Sequence, residues 1–383
     1  MVLYTTIPYI AEKTGVSTAS IIGAISIGSF FFAGFSPFWS SKSDSVGRKT
    51  ILSIGMGGMV LSFLAISLMF IGNDSFPLWF KTGLIVGARI IYGIMASAVV
   101  PVSQAWQLDL KPGLDRIKVM TRNSMCLNLG RILGPILVLT KQVNFEIIIY
   151  IATIWLAVLF TGLVFCTRNQ ANLQTKAEKF EFKKSLRNWK DLASSARGPI
   201  LLSLVFTSFT GIMHSFLGHH LKVSLALAGD QASVLMAQMV LALSFAAVLI
   251  QQVSLVIPST MWKLRLIIGA LSLVTGSVIM AEATSAQGLW LSIAFVAIAV
   301  ALIPPVYLSL LGKNKDSQGK KLGLASISHS LGYAIGAGLI ALSMKMSLIS
   351  EMSVVIIVSV AILAIVAYIA SIEKQQVSKE AIC

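Results

Sequence analysis

Two arginines lie well inside long apolar segments of this sequence, where a charged side chain is rare. Arg89 lies in the segment 82–104, and Arg131 lies in the segment 117–140. A guanidinium away from water is costly unless a partner neutralises it, and it pairs well with carboxylate or phosphate. The residue types therefore indicate a site for an anionic ligand. For Arg89 the alternative is a structural role, with its head group reaching outward to water.

Polar side chains accompany the arginines inside these segments, but carboxylates do not. All fifteen acidic residues fall in the polar connections or at the ends of apolar segments. Backbone carbonyls, Asn128 and Tyr92 are alternative partners, although a bound anion would compensate the guanidinium groups better. We therefore predict a substrate-binding set that consists of Arg89, Gln104, Asn128, Arg131 and Tyr333.

Two histidines, His214 and His329, also lie inside apolar segments. Histidine titrates near neutral pH, so each is a candidate proton carrier, and a hydrogen-bonded packing role is the alternative for each. The cysteines and histidines form no metal-binding spacing, and no paired acidic motif or nucleotide-binding loop is present. The sequence therefore predicts no metal, no cofactor, no direct use of ATP and no enzymatic activity.

The elements that must position these residues are apolar helices. The chain has 383 residues, of which 56% are hydrophobic and 12% charged, and its mean hydropathy is +0.84. Most of its twelve apolar segments approach the ~20 residues that cross a bilayer, which predicts an all-α integral membrane protein. The segments are residues 2–11, 19–39, 50–72, 82–104, 117–140, 147–166, 199–217, 231–252, 266–281, 288–311, 322–343 and 352–372. The first is half a span, so we expect a truncated N-terminus.

The basic residues that give the net charge of +15 follow a membrane topology, so this charge does not indicate nucleic-acid binding. Alternate connections between the segments, counted together with Lys118 and Arg122 at the beginning of the fifth segment, carry 23 of the 30 Lys and Arg residues, and the other connections carry five. Basic connections remain on the cytoplasmic side of a membrane. We therefore expect a multi-pass protein of a plasma membrane, the inner membrane in a bacterium, with both termini cytoplasmic if the first span is complete.

The twelve segments divide into two sets of six. Residues 167–198 form the only long polar stretch and carry eight basic residues. We predict an N-terminal six-helix bundle over 1–166, a cytoplasmic linker over 167–198 and a C-terminal six-helix bundle over 199–383. The fifth segment of each half repeats the pattern Leu-Gly-x-x-apolar-Gly, at residues 129–134 and 331–336. This repetition favours duplication of one six-helix unit.

Small residues and a proline predict a close helix contact in the fifth segment. Gly130 and Gly134 lie four residues apart and share one helix face, so a neighbouring helix can approach closely. Pro135 removes a backbone hydrogen bond and bends the helix. On the same helix as Arg131, these features indicate a moving part that also binds a ligand, and ordinary helix packing is the alternative.

A short basic connection follows the second segment. Residues 40–49 read Ser-Ser-Lys-Ser-Asp-Ser-Val-Gly-Arg-Lys, which we interpret as a tight cytoplasmic loop. Asp44, Gly47, Arg48 and Lys49 resemble the Gly-x-x-x-Asp-Arg-x-Gly-Arg-Lys signature of the major facilitator superfamily, with serines in place of the first glycine and the first arginine. The resemblance implies a charge latch, a charged loop that holds one transport state. A basic cytoplasmic loop without that role is the alternative.

Two further motifs are similar to those of the same superfamily. Arg89-x-x-x-Gly93 resembles its fourth-span signature, whose arginine is tied to proton coupling in many members. Gly130-x-x-x-Gly134-Pro135 resembles its exporter motif, although two later glycines are replaced. The resemblance implies two six-helix bundles, alternating access, a small-molecule substrate and protons as the coupling ion. We expect a monomer.

The predicted function is export of a small anionic metabolite, such as a polycarboxylate siderophore that would neutralise the arginines. The alternative is broad-spectrum drug efflux, because multidrug antiporters match the same motifs. Import is a further alternative, and transport measured in inverted vesicles separates the two directions.

Overall fold

In a computed structural model, the described part of the chain is helical. The structure describes residues 2–71, 75–110, 132, 134–139, 144–167, 197–254, 258–311, 318–346 and 349–380. These ranges contain thirteen bounded α-helices and no strand. The helices are α1 (Val2–Thr5), α2 (Ile7–Thr14), α3 (Thr18–Val46), α4 (Arg48–Ile71), α5 (Leu78–Ile91), α6 (Val99–Leu110), α7 (Phe145–Cys166), α8 (Arg197–Ser224), α9 (Gly229–Ser254), α10 (Trp262–Glu282), α11 (Ala286–Leu311), α12 (Gln318–Met346) and α13 (Glu351–Glu380). A π-helical turn, Tyr92–Ala96, lies between α5 and α6.

Ten helical stretches in the described ranges are long and apolar enough to cross a membrane. They coincide with the second to fourth and the sixth to twelfth predicted segments. The first segment forms the short helices α1 and α2, and the fifth, residues 117–140, lies mostly outside the described residues. The prediction of an all-α, multi-pass membrane protein is confirmed.

One predicted loop is wrong. Residues 40–46 continue α3 as far as Val46, and α4 begins at Arg48, so Gly47 alone separates the two helices. Gly47 has a φ of +103°, a conformation that favours glycine, and its N–H donates to the Ser43 carbonyl oxygen. The polar residues stay helical because backbone hydrogen bonds continue beyond the lipid, whereas hydropathy reports only the lipid-embedded part of a helix.

The chain clusters into two compact units. Unit 1 comprises Met1–Phe182 and Ala228–Ala237, and unit 2 comprises Lys183–Leu227 and Gln238–Cys383. The beginning of α9 belongs to unit 1, where the Gly229 N–H donates to Glu12 Oε2 at 2.8 Å. The domain limits 1–166, 167–198 and 199–383 stay a prediction.

Unit 1 is built around packing of α4 and α5. Helix α3 packs against α5 and the π-helical turn, and α4 packs against α5 and α7. Ile51 and Leu52 of α4 form a buried apolar cluster with Ala98 and Val102. This packing brings the end of α5, which carries Arg89, into the interior of the unit.

Unit 2 contains a close contact between α8 and α12. A Cβ atom at Gly336 would lie 2.0 Å from the Ser208 carbonyl oxygen, and one at Gly332 would lie 2.5 Å from the Leu204 carbonyl oxygen. Only glycine permits backbones to approach this closely. The repeated pattern at residues 331–336 therefore marks a close helix contact in this half of the chain.

Candidate functional site

Arg89 is buried in the last turn of α5, with 7% of its surface exposed. The guanidinium carbon lies 4.3 Å from the centroid of the Tyr92 ring, a cation–π arrangement. Among the described residues, Arg89 Nε has no hydrogen-bond partner. The guanidinium therefore lies over an aromatic face, and its Nε–H keeps hydrogen-bonding capacity among the described residues.

The surroundings of Arg89 are apolar. It borders a small cavity of about 10 Å³ whose other lining residues are Leu3, Ile10, Ile21, Ile25, Ile66, Met69 and Ile85. Charge interactions are strong in such an environment because little water screens them. A cavity of this size is at the lower limit for one water molecule, so an anion reaches Arg89 only if the surrounding helices separate.

The backbone beside Arg89 is irregular and tightly packed. The π-helical turn Tyr92–Ala96 begins three residues after Arg89, and single π-helical turns are frequent at functional sites. A Cβ atom at Gly93 would lie 2.2 Å from the Gly28 carbonyl oxygen. The glycine of the Arg89-x-x-x-Gly93 motif therefore allows α3 to contact the π-helical turn directly.

A second polar group lies in unit 2, between α11 and α12. Tyr307 Oη and His329 Nε2 are 2.9 Å apart and form a hydrogen bond. Tyr307 is 1% exposed, and His329 is half-buried. The pair places a titratable imidazole beside a hydroxyl that can donate or accept a proton.

Hydroxyl groups extend this polar group onto α8. Ser203 Oγ lies 2.7 Å from Ser328 Oγ, and Thr207 Oγ1 donates to the Ser203 carbonyl oxygen at 2.8 Å. Because Ser328 precedes His329, these contacts connect the histidine with the close α8–α12 contact. We name Ser203, Thr207, Tyr307, Ser328 and His329 the unit 2 polar cluster.

The structure brings His214 and Tyr333 together. Their rings are stacked, with centroids 5.9 Å apart and an interplanar angle of 20°. Both side chains are half-buried. His214 on α8 and Tyr333 on α12 thus follow the polar cluster along the same pair of helices.

The segment proposed as a charge latch lies at the α3–α4 junction. Arg48 Nη1 donates to Ser43 Oγ, and Lys49 Nζ donates to the Thr167 carbonyl oxygen, each at 2.5 Å. Asp44 lies in the last turn of α3, and its side chain is outside the described part. The latch role stays a prediction.

Several predicted residues are outside the described part of the chain. Asn128, Gly130 and Arg131 are among them, and Gln104 lies in α6 without a described side chain. Gly134 and Pro135 are described, helical and buried. Among the described residues, no group of three or more His, Cys, Asp or Glu side chains is placed to hold a metal ion.

Sequence reasoning missed the hydrogen-bonded pairs of unit 2. The set of substrate-binding residues predicted from the sequence contains none of Tyr307, Ser203, Thr207 and Ser328. Serine and threonine are frequent in membrane helices, so their types carry little signal. The spacing of Ser203 and Thr207 places them on one face of α8 and was the available clue.

These features define a class: multi-pass helical membrane proteins with ionisable groups buried inside them, which mark substrate or ion pathways. The sequence profile of the Major Facilitator Superfamily matches residues 1–337. The chain therefore belongs to the Major Facilitator Superfamily, whose members are membrane transporters. The membership that its motifs predicted is confirmed, and the exporter type stays a prediction.

Solved structures of this fold cover nearly the whole chain. The nucleoside transporter NupG aligns with a TM-score of 0.70 at 12% identity, over 97% of this chain and 97% of its own. A D-xylose-proton symporter aligns with a TM-score of 0.71 at 17% identity, over 96% and 94%. The human organic anion transporter MFSD10 (TETRAN) aligns with a TM-score of 0.63 at 16% identity, over 95% and 89%. These identities show the fold alone, and no curated protein matches the sequence.

Proposed function

We propose that the protein is a proton-coupled secondary carrier that exports a small anionic metabolite, such as a siderophore, by alternating access. The observation that carries the proposal is the buried Arg89 guanidinium with its unbonded Nε. A charge at this depth costs at least ~2.5–3.5 kcal/mol on insertion scales. A helix packs equally well without a buried charge, so packing does not explain this cost. Binding of an anion explains it, because it needs the positive charge.

The geometry around Arg89 also supports alternating access. In the state described here the adjacent cavity measures about 10 Å³ and excludes a metabolite. An anion reaches the guanidinium only after α2 and α3 move away from α5, and it is enclosed when they return. MFSD10, described as an organic anion transporter, has this fold, so the fold is compatible with anionic substrates.

The Tyr307–His329 pair supports proton coupling. An imidazole that titrates near neutral pH takes up a proton on one side of the membrane and releases it on the other. The neighbouring hydroxyls of the unit 2 polar cluster provide hydrogen-bonding positions for that proton. A D-xylose-proton symporter shares the fold, so the fold is also compatible with proton coupling.

Transport by purified protein in liposomes tests the anion proposal. A panel of polycarboxylates, phosphate esters and cationic dyes is offered to the wild type, Arg89→Lys and Arg89→Gln. We expect Arg89→Lys to weaken affinity for anions, because it loses the bidentate guanidinium. Arg89→Gln should weaken it by about tenfold or more, since hydrogen bonds to charged groups contribute ~1.5–3 kcal/mol.

Arg197 provides the matched control, because this arginine is exposed at the beginning of α8. Arg197→Gln should leave anion affinity unchanged. Transport of cationic dyes by the wild type, with affinity retained in Arg89→Gln, would contradict the proposal and favour drug efflux. The same panel with Arg131→Gln tests the other predicted arginine, and comparison of inverted with right-side-out vesicles tests the direction of transport.

A further inference from the structure

An apolar groove lies on unit 1 between α4 and α7. Its volume is about 640 Å³, and its walls include Ile54, Val60 and Leu61 of α4 and Phe160 of α7. Along α4 the lining runs from Lys49 to Leu61, which spans roughly 18 Å at ~1.5 Å per residue. This length is close to the hydrocarbon thickness of one leaflet, which is about 15 Å.

The helices that form the groove present apolar surface to the outside of unit 1. Large side chains of both helices are exposed, namely Leu61, Leu64, Leu68, Ile154, Trp155, Val158, Leu159 and Phe165. Such surface on a membrane helix is covered by lipid chains. The groove is therefore part of the lipid-facing surface of this unit.

One end of the groove carries a positive charge. Lys49 lines this end, and its ammonium donates to the Thr167 carbonyl oxygen at 2.5 Å. An ammonium has three donors, and within the described ranges this bond engages one of them. Apart from Lys49, Thr50 and Ser53 near this end, the lining consists of apolar side chains and Gly57.

We propose that the groove binds an acidic phospholipid, with one acyl chain along α4 and the phosphate at Lys49. A positive charge at one end and hydrocarbon along the remainder match an amphiphile with an anionic head group. The length of the groove places that head group at the membrane surface when the chain lies within one leaflet. The site is distinct from the proposed transport site, because it opens on the lipid-facing surface and does not include Arg89.

Lipid retention tests this assignment. The full chain is solubilised from membranes that contain equal amounts of phosphatidylglycerol and phosphatidylcholine, washed in mild detergent and assayed for bound lipid by mass spectrometry. We expect the wild type to retain phosphatidylglycerol selectively. Lys49→Gln should reduce that retention about fivefold, the effect of one basic residue near an anionic lipid surface. Gly57→Leu and Val60→Phe should abolish it, because both fill the groove.

Two matched variants control for unspecific effects. A Cβ atom at Gly162 on α7 meets no atom within 4 Å, so Gly162→Leu adds bulk outside the groove and should retain lipid normally. Lys263→Gln removes a positive charge from unit 2 and should also have no effect. Wild-type selectivity in Lys49→Gln, or normal retention in both groove-filling variants, would overturn the proposal. Displacement of the lipid by excess glycerol phosphate would also overturn it, by assigning the site to soluble phosphate esters.

Discussion

At the scale of single residues, the surroundings of Arg89 distinguish two roles that the sequence left open, anchoring of a helix and binding of an anion. An arginine that only anchors a helix extends its head group to water. Arg89 is 7% exposed, and its guanidinium lies over the Tyr92 ring inside an apolar region. This burial argues against the anchoring role and leaves a charge whose compensation is incomplete among the described residues.

The Tyr307–His329 hydrogen bond gives a test of proton coupling. We expect His329→Asn to lose substrate accumulation driven by a pH gradient and to keep substrate exchange in its absence. Tyr307→Phe should change the pH dependence of accumulation, because it removes the hydroxyl that bonds Nε2. Tyr307→Phe should also lower the free energy of unfolding by about 1 kcal/mol, the net contribution of an ordinary hydrogen bond. Accumulation and exchange, measured side by side in liposomes, check both expectations.

Tyr368 provides the control for the tyrosine substitution. It lies on α13 and is 54% exposed, so Tyr368→Phe removes a hydroxyl from the surface and not from the polar cluster. This variant should have the wild-type pH profile. A wild-type profile in Tyr307→Phe as well, or gradient-driven accumulation by His329→Asn, would remove the pair from the coupling mechanism.

Sequence reasoning identified the charged and titratable residues and named Tyr92 as one possible partner of Arg89, but it missed the partner of His329. Arg89 and His329 were evident because an ionisable residue in an apolar segment is rare. The bond from His329 to Tyr307 joins residues on two helices, and helical spacing describes neighbours on one helix only. Contacts of this kind depend on how α11 packs against α12, which no local pattern encodes.

At the scale of elements, the contact of Gly93 with Gly28 joins α3 to the π-helical turn. We expect Gly93→Ala to destabilise unit 1 by about 1–3 kcal/mol, as overpacking does. The reason is that the added Cβ would lie 2.2 Å from the Gly28 carbonyl oxygen, a backbone atom that cannot rotate away. Thermal unfolding in detergent should show a midpoint lower by several degrees, together with slower transport.

Gly87 of α5, which precedes the π-helical turn, is the matched control, because a Cβ atom there meets nothing within 4 Å. Gly87→Ala should unfold at or slightly above the wild-type midpoint, since alanine favours the helix. Equal unfolding midpoints for Gly87→Ala and Gly93→Ala would contradict this prediction. They would show that α3 and the π-helical turn can move apart without loss of stability.

Helix positions were predictable from hydropathy, whereas helix ends and breaks were not. The apolar segments located ten membrane-spanning stretches, because lipid demands long apolar helices. The extension of α3 to Val46 lies outside the lipid and depends on backbone hydrogen bonds alone. The π-helical turn depends on the fit of α5 and α6 to α3 and α4, and the residues Tyr92–Ala96 carry no proline that would have indicated a break.

At the scale of the whole molecule, the distribution of lysine and arginine predicts which side each connection faces. Unit 1 places together residues that this topology assigns to the outer side. Glu146 contacts both Tyr9 Oη at 3.4 Å and Lys13 Nζ at 3.3 Å. These contacts put the three residues on one side of unit 1, as the alternation of the connections predicts, whereas the orientation itself stays a prediction.

Cysteine labelling tests the topology directly. In a variant whose cysteines are replaced by serine, Ser285→Cys should react with a membrane-impermeant maleimide added to intact cells. Ser45→Cys should react only after permeabilisation. Both serines are exposed, and the predicted topology assigns Ser45, in the last turn of α3, and Ser285, between α10 and α11, to opposite sides. Labelling of Ser45→Cys in intact cells, with protection of Ser285→Cys, would reverse the orientation.

The α8–α12 contact joins two helices that are synthesised at different times. Ser203 and Ser328 are separated by 125 residues, so α8 leaves the ribosome on the order of ten seconds before its partner at ~5–20 residues per second. During this interval the Thr207 and Ser208 hydroxyls already have acceptors, since they donate to the Ser203 and Leu204 carbonyl oxygens of their own helix. Before α12 is synthesised, α8 can therefore lie in lipid without unbonded hydroxyls at these two positions. A nascent chain that stops before Ser328 leaves the Ser203 hydroxyl without this partner.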